Sequence, residues 1–293
     1  MTSLKILYST QDESVNFVSH APSGFFESRY VYRPGADYFI VYLSSQSGCN
    51  KGCQFCHLTT TKQFRHVDAS HDKFMLQAEQ VLEYAASKDM PNHVSTVHFN
   101  FMARGEFLDS VTDLDADYLL ADLGKQASEY GLNSKFNIST IMPKTFKGTI
   151  LDVFKYMQPT FYYSLYSVNQ AFRDYWLPAA MDVDKALGLL KEYQEFTGKP
   201  IKIHFAFIEG QNDSEKDVKD LAMRIKMFNL ITDINIMRYN PPDDKSREPP
   251  YEVIRMRADQ LAMHLGRFVQ IVPSVGYDVK ASCGMFVEPG FGG

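Results

Sequence analysis

Cysteine is scarce in this sequence of 293 residues. It has 4, of which Cys49, Cys53 and Cys56 share one short stretch and Cys283 stands near the end. A disulfide framework spreads paired cysteines through a small secreted chain, so this distribution excludes one and reads as a cofactor site plus one special thiol. An excess of positive charge is also missing: Lys and Arg number 30 against 35 Asp and Glu, a net charge of −5. Without a global basic field, contact with RNA or DNA has to rest on local cation clusters and stacking. No apolar run approaches the roughly 18 residues of a membrane span. The opening residues hold neither a sustained apolar stretch nor a small-residue cleavage site, which argues against a signal peptide. A soluble, cytoplasmic protein with no membrane partner is expected. Repeats and low-complexity blocks are absent too. What is abundant is apolar and aromatic mass, 45% and 14% of residues, enough for a large core.

Six runs rich in β-branched and aromatic side chains, at 38–43, 94–101, 135–138, 160–165, 201–208 and 233–237, read as buried strands. Amphipathic stretches lie between them. Ser70 is placed to cap a helix whose apolar face is Phe74, Ala78, Val81, Leu82 and Ala85, and similar patterns run near 115–130, 183–196, 214–228 and 251–265. Strands alternating with helices imply a parallel sheet built by right-handed crossovers, and six units fall short of a closed eight-stranded barrel. The expected fold is α/β, a partial (β/α)6 barrel with its chemistry on loops at the carboxyl ends of the strands. Residues 1–36 read as an N-terminal extension with β-prone runs at 4–8 and 30–32 and a Pro34-Gly35 turn. The barrel is assigned 37–270. Residues 271–293 form a C-terminal segment carrying Cys283, its Gly-rich end from Glu288 expected to be loose.

The cysteine stretch is Cys49-Asn-Lys-Gly-Cys53-Gln-Phe-Cys56, a C-x3-C-x2-C pattern with an aromatic before the last cysteine. It follows directly on the first expected barrel strand. Three thiolates on a tight loop can hold three irons of a [4Fe–4S] cluster and leave one iron open. Gly48 and Gly52 suit the sharp backbone path this needs. The competing reading is structural zinc with His57 or His66 as fourth ligand, although such sites usually add a second cysteine pair downstream and none is present. A zinc-stabilised binding protein is the corresponding non-enzyme alternative.

The pattern resembles the signature of the radical S-adenosylmethionine (SAM) superfamily, and its context resembles the RlmN/Cfr subfamily, which methylates adenosine in RNA. Ser44-Ser-Gln-Ser-Gly-Cys49 is similar to that subfamily's SSQ-x-GC lead-in, and Met102-Ala-Arg-Gly105-Glu106 to its GMGEP segment. Ile138-Ser139-Thr140 is similar to LST, Tyr163-Ser164-Leu165-Tyr166 to SLH, and Tyr239-Asn240-Pro241 to WNP. Residues 275–284, with Cys283, are similar to the RGDDIDAACGQ segment that bears the methyl-carrying cysteine. The matches fall in order from residue 38 onward. The resemblance implies a [4Fe–4S] cluster on Cys49, Cys53 and Cys56, with Phe55 against the adenine of SAM. SAM would be held around Gly105, Glu106, Ser139, Ser164 and Asn240, with Tyr166 in the family's His slot. An external one-electron reductant of flavodoxin or ferredoxin type is implied as well.

In the resembled family the counterpart of Cys283 is methylated by one SAM. A hydrogen is abstracted from that methyl by the radical made from a second SAM, and the carbon radical adds to an adenine. A second cysteine deprotonates the adduct and closes a disulfide that expels the product. Here three of the 4 cysteines belong to the cluster motif, so Cys283 has no partner. Tyr42 falls in the resolving cysteine's slot, and Arg29 falls where the family has a glutamate, with Glu27 the nearest carboxylate. A phenol of pKa ~10 is a poorer base than a thiol of ~8.5 and forms no disulfide. The stretch before Cys49 is too short for the family's N-terminal RNA-binding accessory domain. The candidate catalytic residues are Cys283 and Tyr42, for methyl transfer to a nucleotide or RNA adenine. The alternative is a radical SAM enzyme that does not methylate and acts on a small molecule or protein. For a polyanion the candidates are Lys144, Lys147, Lys199, Lys202, Arg238, Lys245, Arg247, Arg255 and Arg257, with Arg238 and Arg247 first because they flank Asn240-Pro-Pro.

Overall fold

The computed structural model describes residues 4–88, 91–111 and 114–291. Its frame is a ten-stranded sheet whose spatial order repeats the chain order. The strands are β1 (Leu4–Tyr8), β2 (Val15–His20), β3 (Phe25–Tyr32), β4 (Tyr38–Tyr42), β5 (Thr96–Phe101), β6 (Asn133–Thr140), β7 (Thr160–Tyr163), β8 (Ile201–Ala206), β9 (Thr232–Met237) and β10 (Val269–Val272). Strands β1 to β4 pair antiparallel, and β4 to β10 pair parallel. The helices are α1 (His57–Thr60), α2 (His71–Ala86), α3 (Phe107–Ser110), α4 (Ala116–Glu129), α5 (Ile150–Val153), α6 (Gln170–Trp176), α7 (Val183–Thr197), α8 (Glu215–Met227) and α9 (Tyr251–Leu265).

Strand β4 is buried on both faces through Phe39, Ile40 and Val41, as expected of a parallel strand covered by helices on one side and the interior of the sheet on the other, whereas β9 alternates. Phe39, Val41, Val97 and Phe99 are all buried. Helix α2 begins where its cap predicts: the Ser70 hydroxyl accepts from the Lys73 amide at 3.2 Å, and Phe74, Ala78, Val81, Leu82 and Ala85 are all buried. Ser214 and Asp217 cap α8 reciprocally, which fixes its first turn.

The six expected strands and five expected helices are all present, with local differences. The run at 160–165 stops being strand at Tyr163, because the Leu165 amide turns back to the Tyr163 carbonyl at 2.9 Å and Tyr166 takes a φ of 54°. The run at 201–208 ends at Ala206, where Asn212 accepts from the Ile208 amide at 2.7 Å and donates to the Ala206 carbonyl at 3.1 Å. Strand β2 and a seventh parallel strand, β10, were not anticipated. The latter has only four residues, too few to show a period. Helices α1, α3, α5 and α6 are one or two turns long and escape amphipathic reading for the same reason.

The expectation of a loose C-terminal end from Glu288 is corrected only at Phe291: Glu288, Pro289 and Gly290 are exposed, and the chain is packed up to Val287 and again at Phe291. Val287 is buried with Val18 and Phe25, and Phe291 packs on that cluster, its ring lying under the Lys5 ammonium at 4.4 Å. Gly292 and Gly293 lie outside the described residues. The segment is also held by a buried ionic cluster. Glu27 Oε1 accepts from Arg104 Nε at 2.7 Å and from the Val287 amide at 3.0 Å. Glu27 Oε2 accepts from Arg29 at 3.2 Å and from Asn16 at 2.8 Å. Arg29 donates to the Met285 and Ala281 carbonyls at 2.7 and 3.1 Å, and Arg104 to the Val287 carbonyl at 2.8 Å. Burial alone would raise the Glu27 carboxyl, but Arg104 and Arg29 outweigh it and hold it below the usual range.

Candidate active site at the carboxyl ends of the parallel strands

The loop leaving β4 is bonded to the loop leaving β5. Ser45 donates its amide to the Arg104 carbonyl at 2.9 Å, and Gln46 Oε1 accepts from the Glu106 amide at 3.1 Å. The approach is so close that a Cβ at Gly105, whose φ is +96°, would lie 2.6 Å from Ser45 Oγ and 2.7 Å from Gln46 N. Only glycine fits there. Gly48 is similarly enclosed, by the carbonyls of Arg65 and Gln63 at 2.5 and 2.6 Å. Beyond it the chain turns through Cys49, Cys53 and Cys56, pinned by the Cys49 amide on the Gln63 carbonyl at 3.0 Å and the Cys56 amide on the Cys53 carbonyl at 3.1 Å.

Two adjoining cavities open above this loop. One, of about 130 Å³, is lined by Cys49, Cys53, Gly105 and Glu106; the other, of about 160 Å³, by Tyr42, Tyr166, Asn240 and Cys283. Phe55, Cys56, Ser139, Ser164, Met102 and Phe286 belong to both walls. Every cluster, cofactor and catalytic residue expected from the sequence therefore lines one of the two cavities. Phe55 stacks on Tyr166 with ring centroids 4.2 Å apart and planes 10° from parallel. Cys283 is held over the cavity by Asn240, whose amide donates to the Cys283 carbonyl at 2.8 Å and to Ser282 Oγ at 3.0 Å.

Burial governs the titration of the site. It pushes the Cys49 thiol up to about 12, Cys56 and Cys283 up to about 11, and Cys53 well above the thiol range. It also raises the Glu106 carboxyl to about 7, although Glu106 accepts from the Ile141 amide at 3.0 Å and the Leu108 amide at 3.3 Å. Among the described residues Glu106 has no ion-pair partner.

No protein-family profile matches the chain. Curated relatives do. A protein from Desulforamulus reducens named probable dual-specificity RNA methyltransferase RlmN is 30% identical over 249 residues, which cover 83% of this chain and 66% of that protein. The dual-specificity RNA methyltransferase RlmN of Wolinella succinogenes is 26% identical over 255 residues, covering 85% and 67%. The chain spans about two thirds of the length of these relatives. Among solved structures, a radical SAM methyltransferase from Sphaerobacter thermophilus superposes with a TM-score of 0.80 at 20% identity, over 97% of this chain and 81% of that one. SuiB of Streptococcus suis, solved with SAM bound, gives 0.50 at 16% identity over 80% and 46%; both share the fold.

The chain belongs to the radical SAM, RlmN/Cfr-like family.

Membership implies a [4Fe–4S] cluster and SAM, and the residues present fit both. Three thiols line one cavity, and beside them lies a buried carboxyl that lacks a cation. Among the described residues no three Cys, His, Asp or Glu side chains converge as a single ion requires. A cuboidal cluster instead takes each thiolate on a separate iron, which suits sulfurs distributed around a cavity better than the zinc alternative does.

In this RlmN/Cfr-like chain the two cations ranked first for a polyanion are already paired. Arg238 lines the larger cavity but bonds Glu248, with Nε at 2.7 Å. Arg247 is on the surface, paired with Glu209, and lines neither cavity. Sequence reading missed three groups that do line the larger cavity: Arg33, His204 and Phe286. Burial lowers the His204 imidazole to about 4, and its Nδ1 has no hydrogen-bond partner. Each is a single residue in no motif, and only the inward alternation of β8 marks His204.

Proposed function

We propose that this chain is a radical SAM methyltransferase acting on an adenine base in a nucleotide or RNA, with Cys283 carrying the methyl group. The observation that carries the reading is that Cys283 and the cluster-motif residues Phe55 and Cys56 line one cavity, continuous in its walls with the cavity of Cys49, Cys53 and Glu106. The names of the relatives, RNA methyltransferases, support the reaction and the RNA class of substrate.

Cluster and SAM, when bound, would supply a 5′-deoxyadenosyl radical on receipt of one electron, for which a flavodoxin- or ferredoxin-like protein would be the donor. The chain's residues then have separable tasks. Cys49, Cys53 and Cys56 would hold the cluster, and each must lose the proton that burial retains. Glu106 would take the SAM ammonium, an interaction that restores its charge. Ser139 and Ser164 offer hydroxyls to the carboxylate or ribose, and Phe55 with Tyr166 a flat surface to an adenine. Gly105 admits the backbone to the ligand. Asn240 spends its amide on the Cys283 segment, so it acts by positioning that thiol. Tyr42 lies near Cys283, and burial raises its phenol further, so it would be a poor base there.

A second reading, radical chemistry without methylation, is favoured by one fact: the 4 cysteines leave no partner for a disulfide with Cys283. Intact-mass analysis of anaerobically reconstituted protein given SAM and reductant separates the two. A methyl increment on Cys283 that disappears in Cys283→Ala, while 5′-deoxyadenosine is still made, supports the carrier. Deoxyadenosine with no increment supports the second reading.

A further inference from the structure

The larger cavity is cationic beyond what its pairs neutralise. Its walls hold three arginines, Arg29, Arg33 and Arg238, and no aspartate or glutamate. Arg238 is balanced by Glu248. The buried cluster behind Arg29 is not balanced, because the single carboxylate of Glu27 faces both Arg29 and Arg104. The Phe286 ring receives part of this charge, with the guanidinium carbons 4.9 and 5.4 Å from its centroid. Arg29 is 3% exposed, and its Nε has no hydrogen-bond partner. On the turn between β3 and β4, Arg33 likewise keeps a buried Nε without a partner. Its side chain enters no ion pair among the described residues. Its charge reaches the phenols of Tyr42 and Tyr162, whose ionisation it favours. Both arginines line one cavity and each keeps a buried Nε without a partner, and guanidinium groups so placed are costly unless an anion answers their charge.

We propose that the larger cavity binds a phosphate of the substrate against Arg33, with Arg29 behind it, so that the base to be modified enters as part of a nucleotide. The inference rests on the adenine reading above and adds the group that anchors it. Planar guanidinium donors match phosphate oxygens in pairs. The phosphate comes either from a mononucleotide or from the backbone of an RNA.

The test is calorimetric titration of the reconstituted holoenzyme, without reductant so that nothing turns over. The probes are AMP, adenosine, ribose 5-phosphate and the trinucleotide ApApA lacking a terminal phosphate. AMP is expected to bind about tenfold or more tighter than adenosine, the scale of a charge-assisted contact. Arg33→Gln is expected to bring the two together, and Arg33→Lys to restore part of the difference, with cluster absorbance and thermal midpoint unchanged in both. Added salt should weaken AMP and leave adenosine unaffected. Arg33-dependent binding of ApApA tighter than AMP identifies a backbone phosphate as the source, and the reverse a monoester. Arg33-dependent binding of ribose 5-phosphate without any binding of adenosine keeps the anion site and sinks the adenine reading. Equal binding of AMP and adenosine, unchanged by Arg33→Gln, keeps the adenine reading and overturns the anion site.

Discussion

At the scale of single residues, Glu106 and Gly105 show how much of the site a short motif contains. Glu106 is a buried carboxyl raised to about 7 by desolvation, anchored by two backbone amides. Replacing it with Gln keeps the shape and removes the charge for an ammonium. Glu106→Gln should weaken SAM binding by about 10- to 100-fold, the value of one charge-assisted hydrogen bond, read by titration of the reconstituted protein. Unchanged affinity would remove Glu106 from the ligand's ammonium. At Gly105 an added methyl meets Ser45 Oγ at 2.6 Å and Gln46 N at 2.7 Å, on backbone at φ +96°. Gly105→Ala should cost about 1–3 kcal/mol, visible as a lower urea midpoint. Both residues were legible because they stand at a fixed place relative to the cysteines. Arg33 was not, since a lone cation on a turn usually faces water and only the fold brings it to the wall of a cavity.

At the scale of elements, what the sequence showed best was regular and long. Helix α2 was readable from Ser70 and its apolar stripe, and β4 from its unbroken apolar run. Strand β10 and the short helices carry too few residues to show a period, and the packing of Phe291 was missed because glycine content says nothing about long-range partners. The segment up to Val287 is held by Glu27 and Arg29, near neighbours on β3, and by Arg104, distant from them in sequence, which meet under it. This cluster is the clamp that sets Cys283 over the cavity. Glu27→Gln would leave two buried arginines without their carboxylate and should destabilise the fold by about 3–5 kcal/mol. Limited proteolysis after residue 280 should accelerate in the same variant. A chain that keeps both its denaturation midpoint and its protected tail would show that the hydrogen bonds alone suffice.

At the scale of the whole molecule, a continuous sheet from β1 to β10 joins the antiparallel strands, the parallel sheet and the returning tail around the two cavities. Its stability should respond to acid through buried imidazoles. Burial holds His98 and His204 at about 4 against an ordinary 6.5, and His98 is stacked on Tyr38 at 3.9 Å. Between those values the unfolded chain takes up protons that the folded chain refuses. The stabilisation is therefore complete above pH 6.5 and is lost as pH falls toward 4. His98→Phe, which keeps the stack, should flatten the fall in urea midpoint between pH 6.5 and pH 4.5 relative to wild type. Parallel curves for the two proteins would contradict the burial argument.

The central claim is that Cys49, Cys53 and Cys56 together hold an iron–sulfur cluster at which SAM is cleaved. The most direct measurement is iron content and 5′-deoxyadenosine yield after anaerobic reconstitution of wild type and of Cys49→Ala, Cys53→Ala and Cys56→Ala. The account predicts a brown wild-type protein with about four irons per chain that makes deoxyadenosine, and three variants that hold little iron and make none. Variants that match wild type in iron and in deoxyadenosine would contradict it.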